Sequence, residues 1–541
     1  MANTFFGLTI GASGLNASNV AINTSAHNIS NVKTKGYTRQ VATQQATSAI
    51  RVYATYGTVG TGVEVSQIDQ LRSQYYDTKY WNNNANYGKY SSLESSMALM
   101  EGYLDEFNLS GFTTEYSNLF KAINTLTTDP SSDVARNQVL NYAQSLCDYF
   151  GTVSSNLSSV QQSANDEVKT TVDSINTIAR QIALYNRQIN TIEVNGGQAN
   201  DLRDSRALLV DELSTYINTT VKETDMGSGL TEYTVYIDGQ KLVDGYDCNE
   251  LLCKARATGD KRNASDIDGL YDIEWATGME FNMYRSTFSG SLRGAIDMRD
   301  GCNKCYEVVG LRDSNGDFLK DSNGKIIDVQ DLSEADYNSY VSAGYHKDVT
   351  TYIDGYRNSD YKAVPYYQAQ LNTFVQSFTN AFNEIISKGD LDGKTVPDFF
   401  VSKYNEPYLT ASTVCVNSKI KEDISLLPVS FDNSKGVGNT DMAKELFALK
   451  DKDILNYGTF LENLQSIVSV AFIDTSRARN FSSNYKSIKE TVENQRLSVS
   501  GVDEDEEAVD LVKYKEAYGL ASKVISVMQE IYDKLIEQTG L

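Results

Sequence analysis

The side chains of this 541-residue chain that could do chemistry are few: six cysteines, two histidines and some runs of Asp, Asn and Gly. Cys302-Asn-Lys-Cys305 is a CxxC, and Cys248 and Cys253 lie in the same stretch. Four thiolates could hold tetrahedral zinc; they could equally pair as disulfides or stay reduced. Cys248 and Cys253 are not spaced like a usual zinc knuckle, so no metal is expected. Asp313, Asn315 and Asp317 look like the opening of a calcium loop, but Phe318 stands where that loop needs Gly, and no Glu stands at its twelfth position. Two Asn-Gly turns are the better reading. Gly57, Gly60 and Gly62 lack the Lys-Ser or Lys-Thr of a phosphate loop and read as a strand turn. His27 lies in a polar helical stretch without a carboxylate or thiol cluster. With only His27 and His346, and no nucleophile elbow or acid–base pair, no catalytic, cofactor-binding or metal residue is expected. The expectation is a protein that is not an enzyme and carries no cofactor.

Composition points the same way. Hydrophobic residues make up 40% and charged residues 22%, which suits a folded chain of roughly three or four domains. The formal net charge of -23 would repel a polyanion, so nucleic acid is not an expected partner. No stretch reaches the roughly 20 apolar residues of a membrane span. The N-terminus lacks the basic and apolar regions of a Sec-type signal. With 5 prolines, long helices are permitted.

The elements that organise the chain are clearest at its ends. Leu8, Leu15, Ile22 and Ile29 recur every seven residues, with Phe5, Ala12, Asn19 and Ala26 between them. That is an a/d seam. Ala12, Ser13, Gly14, Ala17 and Ser18 are small enough to let another helix approach closely, and Gly36 can stop the segment. At the other end Leu511, Tyr518, Ile525 and Tyr532 form one row, and Tyr514, Ala521, Met528 and Leu535 the other. Asp503 can cap this helix, with Glu506 three residues on, and the spacing predicts a helix from about 503 to 538. Amphipathic end helices often just cover their own domain. Two seams at opposite ends suggest instead that the termini pair with each other and with neighbouring subunits.

Between the ends, residues 36–47 alternate, and residues 56–68 read as strands around a glycine turn. Residues 90–220 carry helical spacings, broken by Asn195-Gly196-Gly197. From about 221 to 363 the texture turns to β, with a hairpin signal at Asp238-Gly239. Helical periodicity returns at 364. The predicted fold is therefore mainly α with an inserted β domain, in an elongated multi-domain chain. Residues 1–89 with 480–541 would form a terminal coiled-coil domain, and 90–220 with 364–479 a helical bundle. Residues 221–363 would form an outer β-rich insert, within which 304–362 reads as an extra insertion.

Residues 28–40 run NISNVKTKGYTRQ. The motif residues Asn28, Ile29, Ser30, Asn31, Gly36, Tyr37, Thr38, Arg39 and Gln40 resemble the N-terminal signature of flagellar rod, hook and hook-associated proteins. The Thr-Arg-Gln ending is most similar to the first hook-associated protein family, although Lys35 stands where that family commonly has Pro. Blocks at 60–80, 129–146, 199–214, 290–301, 436–449 and 496–525 resemble the same family in order. Residues 303–363 match nothing in it.

The resemblance implies a structural subunit of the bacterial flagellum that joins hook to filament. It implies export by the flagellar type III apparatus without a cleaved signal, with a cytoplasmic chaperone on the C-terminal helix. It implies self-assembly into a ring of about 11 subunits, packed through the terminal helices, between the hook protein and the next hook-associated protein or filament. A hook-like axial protein, or a junction protein whose insert adds surface-binding (adhesive) activity, is the alternative.

Overall fold

The computed structural model describes the chain except for residues 1–5, 52–56, 107–111, 228, 262, 264, 286, 302–304, 314–316, 321–325, 328, 330–331, 354–361, 393, 405–408, 437, 454–457 and 540–541. In order, the elements are α1 (Phe6–Asn31), β1 (Gln40–Ala46), β2 (Ile50–Arg51), β3 (Thr58–Val59), β4 (Val63–Gln70), α2 (Gln74–Glu106), α3 (Phe112–Thr128), α4 (Asp133–Glu193) and α5 (Asn200–Tyr216). The strands β5 (Thr219–Gly227), β6 (Leu230–Ile237), β7 (Gln240–Asp244), β8 (Asp247–Cys248), β9 (Leu251–Ala255) and β10 (Tyr271–Trp275) follow, then α6 (Ser291–Asp300), β11 (Cys305–Arg312), α7 (Glu334–Ser342) and β12 (His346–Ile353). The chain closes with α8 (Val364–Ser387), β13 (Phe400–Ser402), β14 (Val414–Val416), α9 (Ser418–Glu422), α10 (Asp441–Ala448), α11 (Phe460–Ser500) and α12 (Glu504–Thr539). The fold is mainly α with small sheets, as the periodicity predicts.

The chain divides into two compact units. The first comprises residues 1–87, 173–251 and 484–541, the second 88–172 and 252–483.

In the first unit α1 packs against α12, and the antiparallel pair β1–β4 lies on α1. β5 to β8 form a four-stranded meander. Its β6–β7 turn has positive φ at both Asp238 (49°) and Gly239 (78°), the conformation a two-residue hairpin loop requires. The apolar face of the meander (Val235, Ile237, Leu242, Val243) is buried. Asparagines on α4 bind the strands' backbone. Asn186 Nδ2 donates to Gly245 O at 2.6 Å, and Asn190 Nδ2 to Thr231 O at 2.8 Å. The Arg206 guanidinium stacks 3.5 Å above the Tyr233 ring.

The second unit holds a large aromatic core in which Phe112, Phe150, Phe374, Phe378 and Phe460 meet edge-on or tilted. α6 is buried from Leu292 to Asp300, so its charges are paired internally. Arg293 Nε and Lys89 Nζ stand 2.7 and 2.9 Å from the Asp297 carboxylate, and Arg299 stands 2.6 Å from Asp300. Gly294 lets α6 close on α2; a Cβ there would lie 2.6 Å from Lys89 O.

The contact division does not follow the three domains expected from texture. The single β insert at 221–363 is split: the β5–β8 meander belongs with the terminal helices, and residues 252–363 belong with the aromatic core. The physical reason is local. A four-stranded meander has one apolar face to bury, and the asparagine-bearing end of α4, one helix earlier in the chain, binds its strands. Among the described residues no group of His, Cys, Asp and Glu could hold a metal ion. Asp313 and Asp317 close a turn on each other, with Asp317 N donating to Asp313 Oδ1 at 2.8 Å. Cys248 is a free thiol. Cys302 and Asn315 lie outside the described residues, and Cys305 enters β11 by its backbone.

Candidate functional site

The motif at 28–40 forms a joint that ties α1, the β1–β4 pair, α5 and the start of α12 together. α1 ends at Asn31, and Gly36 then turns the chain with φ of 80°. A Cβ at Gly36 would also press on Leu208 at 3.4 Å, so glycine serves both conformation and packing.

Asn28 is the hub and is 1% exposed. Its Oδ1 accepts from Tyr37 Oη (2.8 Å) and Gln40 N (3.0 Å). Its Nδ2 donates to Gln40 O (2.8 Å) and to Glu507 Oε1 (3.1 Å). An asparagine is needed because one side chain must both donate and accept here. Arg39 completes the link to α12: Nε donates to Glu507 at 2.6 Å, and its other nitrogens reach Glu506 at 2.9 Å and Asp510 at 3.3 Å. Burial would lower the Arg39 pKa, but the Glu507 hydrogen bond and the charges of Glu507, Glu506 and Asp510 outweigh it and hold the guanidinium above its usual range. Thr38 donates through both N and Oγ1 to the Asp204 carboxylate, at 2.9 and 2.7 Å. Gln40 Nε2 donates to Asp201 at 2.9 Å. Tyr37 has its pKa pushed up, first by burial and then by Asp201, Asp204 and Glu507. Ser30 donates to Ala26 O, and Asn31 donates to His27 O and accepts from Thr34 Oγ1 at 3.1 Å, just past the end of α1.

Below this joint lies a cleft of about 820 Å³ between the Lys33–Thr38 loop, α5 and the end of α11. Its floor is a paired charge network. Arg72 binds Asp77 at 2.7 Å, and Arg496 binds Asp211 at 2.8 Å. Trp81 Nε1 also donates to Asp211 at 2.7 Å. The paired groups act as braces between elements; they present no nucleophile or acid–base couple.

The α1–α12 seam is antiparallel. Gly7 receives Met528, Gly11 faces Ile525 and Gly14 faces Ala521. The seam residues Leu8, Leu15, Ile22 and Ile29 are half-buried and flank a fully buried face of Gly11, Ala17, Ser18, Ala21, Thr24, Ser25 and Asn28. On α12, Leu511, Tyr514, Ala521, Ile525, Met528 and Tyr532 are half-buried, whereas Tyr518 and Leu535 are exposed. Asp503 caps α12, its Oδ1 accepting from Asp505 N and Glu506 N, while the Glu506 carboxylate goes to Arg39. Sequence reasoning missed a second apolar row on α12. Leu520, Val524, Val527 and Ile531 lead at helical spacing to Leu535, already a seam candidate, and the five are 40–66% exposed. It also missed Gly7 and Gly11, and the partners of Asn28 and Arg39.

Comparison with known proteins places this geometry. Residues 97–308 match the flagellar hook-associated protein FlgK helical domain, and residues 493–538 the flagellar basal body rod FlgEFG protein C-terminal family. The chain is similar to flagellar hook-associated protein 1 of Bacillus subtilis (strain 168), at 24% identity over 100% of this chain and 99% of that one. The proteins of that name from Salmonella typhimurium and Escherichia coli (strain K12) are each 24% identical over 97% of this chain and 98% of theirs. In fold it is similar to the flagellar hook junction protein FlgK from Burkholderia pseudomallei, with TM-score 0.54, 13% identity, and 78% of this chain and 100% of that one covered.

Paired terminal helices and a rod-type C-terminal segment define a flagellar axial protein. Within that class the chain resembles the flagellar hook-associated protein 1 family, through the helical-domain match at residues 97–308 and through relatives of that name that align along nearly the whole chain. No helix among the described residues is long and apolar enough to cross a membrane.

Proposed function

We propose that this chain is a junction subunit that joins flagellar hook to filament as a ring of about 11 copies. It is exported by the flagellar type III apparatus to the outside of the cell. A cytoplasmic chaperone covers the C-terminal helix before export, and the hook protein and the next hook-associated protein or filament flank the ring. The seam residues Leu8, Leu15, Ile22, Ile29, Leu511, Tyr514, Tyr518, Ala521, Ile525, Met528, Tyr532 and Leu535 serve that packing. The observation that carries this reading is the outer row of α12. One face of the helix already rests on α1, yet Leu520, Val524, Val527, Ile531 and Leu535 remain open. Covering such side chains contributes about 1.5–3 kcal/mol each, which suits a helix built to be buried between subunits.

The test replaces Val527 and Ile531 by Asp on the outer row. The variant should fold with native helical content by circular dichroism but fail to attach filaments to hooks. Normal filaments on the double variant would refute the assignment of this row to the assembly interface.

A further inference from the structure

The apolar seam between α1 and α12 does not by itself fix how the two helices are aligned. In an antiparallel pair, facing residues keep a constant sum of residue numbers. Gly7 faces Met528 and Gly14 faces Ala521, and both pairs add to 535. The rows on α12 repeat every seven residues, however. Sliding α12 by one heptad, about 10 Å, would set Met528 opposite Gly14 and Ala521 opposite Ala21. Sliding it the other way would set Ala521 opposite Gly7 and Tyr514 opposite Gly14. Either slip rebuilds an apolar seam.

Glu507 does not tolerate a slip. Asn28 and Glu507 also add to 535, and they are hydrogen bonded at 3.1 Å. Glu507 is 2% exposed, so its charge depends on its donors. One slip would bring it opposite Ala21, which has no donor to offer; the other would carry it past the end of α1 to Lys35. Asn28 cannot adapt, because Tyr37 Oη and Gln40 N occupy its Oδ1 and leave only Nδ2 to face α12. Arg39 adds a second donor from the other side at 2.6 Å, with its remaining nitrogens committed to Glu506 and Asp510.

We propose that Glu507, held between Asn28 and Arg39, is the register lock of the terminal helix pair. A single buried polar group among apolar seam positions is a known way to specify register at some cost in stability. The lock sets which side chains of α12 stand beside Leu8, Leu15 and Ile22, and so the composite surface the helix pair presents. That last consequence rests on the junction role; the lock itself does not. The competing explanation is the tether: only residues 501–503 separate α11 from α12, and Arg39 N donates to Ser500 O at 2.9 Å.

Disulfide trapping in the full chain separates the two. The native cysteines are replaced, Cys147 by alanine and the others by serine. Gly14→Cys is then paired with Ala521→Cys to report the native register, or with Met528→Cys to report the slipped one. A Cβ on Gly14 would lie 3.6 Å from that of Ala521, within reach of a disulfide. With Glu507 intact, only the 14–521 pair should close. Glu507→Leu should raise the 14–528 yield at least severalfold at the expense of 14–521, while Glu507→Gln, which keeps an acceptor for Asn28, should hold the native register. Moving the carboxylate one heptad along, with Glu507→Leu and Tyr514→Glu together, should make 14–528 the main product, a gain that misfolding does not produce. Exclusive 14–521 closure in Glu507→Leu would show that the tether suffices and overturn the lock. Failure of 14–521 to close with Glu507 intact would overturn the register itself.

Discussion

Asp204 shows how single side chains of the joint trade burial against bonding. Its carboxylate accepts twice from Thr38 and lies 3.7 Å from Arg72, both of which favour the charged form. Burial is the larger influence and pushes its pKa up to about 6 from the model-peptide value of 3.8. In the window between those values the folded joint holds a proton that the unfolded chain has released. The stability linked to Asp204 is therefore fully present below about pH 4 and is lost as pH rises through about 6. Asp204→Asn cannot titrate but still offers Thr38 an acceptor. Thermal unfolding measured at steps from about pH 4 to pH 7 should show the native midpoint falling across the window more steeply than that of the variant. Parallel pH profiles would mean that the Thr38 hydrogen bonds keep Asp204 ionised and that burial is the weaker influence.

At the scale of elements, the glycines of α1 separate two effects of adding a methyl group. Alanine is a better helix former than glycine by up to about 1 kcal/mol. At Gly14 the new Cβ would meet Ala521 at 3.6 Å, an ordinary contact. At Gly11 it would meet Ile525 Cγ1 at 2.8 Å. Gly14→Ala should therefore slow hydrogen exchange along α1 and α12, whereas Gly11→Ala should speed it by prising the pair apart. Equal effects at the two positions would contradict the close approach seen at Gly11. Much of this pair was legible beforehand. The heptad rows located both helices, Asp503 marked the start of α12, and Asn195-Gly196-Gly197 marked the break before α5. The knobs and holes at Gly7 and Gly11 were not legible, because glycine adds nothing to a hydrophobic pattern. The outer row of α12 was hidden because a heptad template reads one seam and treats the other face as solvent. The bonds from Asn28 and Arg39 to residues 506–510 join segments far apart in sequence, and such pairings leave no periodic trace.

For the whole molecule, the least explained stretch is the part of the β-textured region that resembles nothing in the family. Two observations favour reading it as an addition to the second unit. The chain leaves α6 at Gly301 and returns at Ala363 to the same place: a Cβ on Gly301 would lie 2.8 Å from that of Ala363. β11 and β12 then run antiparallel with Cys305 paired to Ile353, so the excursion closes on itself at its base. Part of its packing is its own, and β11 also touches α8. Gly310 lies against Phe318 and Ile326, and among the described residues the aromatic core of the unit passes from Met298 to Ala363 with no member between them. Removing residues 304–362 and bridging 303 to 363 with a short flexible linker closes a gap the fold has already closed, so the added loop-closure cost is small. The shortened chain should keep the α-helical signature of its remaining residues and unfold within a few degrees of the native chain, because the α6 ion pairs and the phenylalanine core are untouched. It should also still support filaments, since the deletion removes nothing from α1, α12 or the joint at Asn28. Circular dichroism on the purified protein and a motility assay on cells carrying only the shortened gene measure the two halves separately. Loss of helical signal would mean that β11 is integral to the packing of α8. A folded chain without filaments would instead assign the insertion a part in assembly itself.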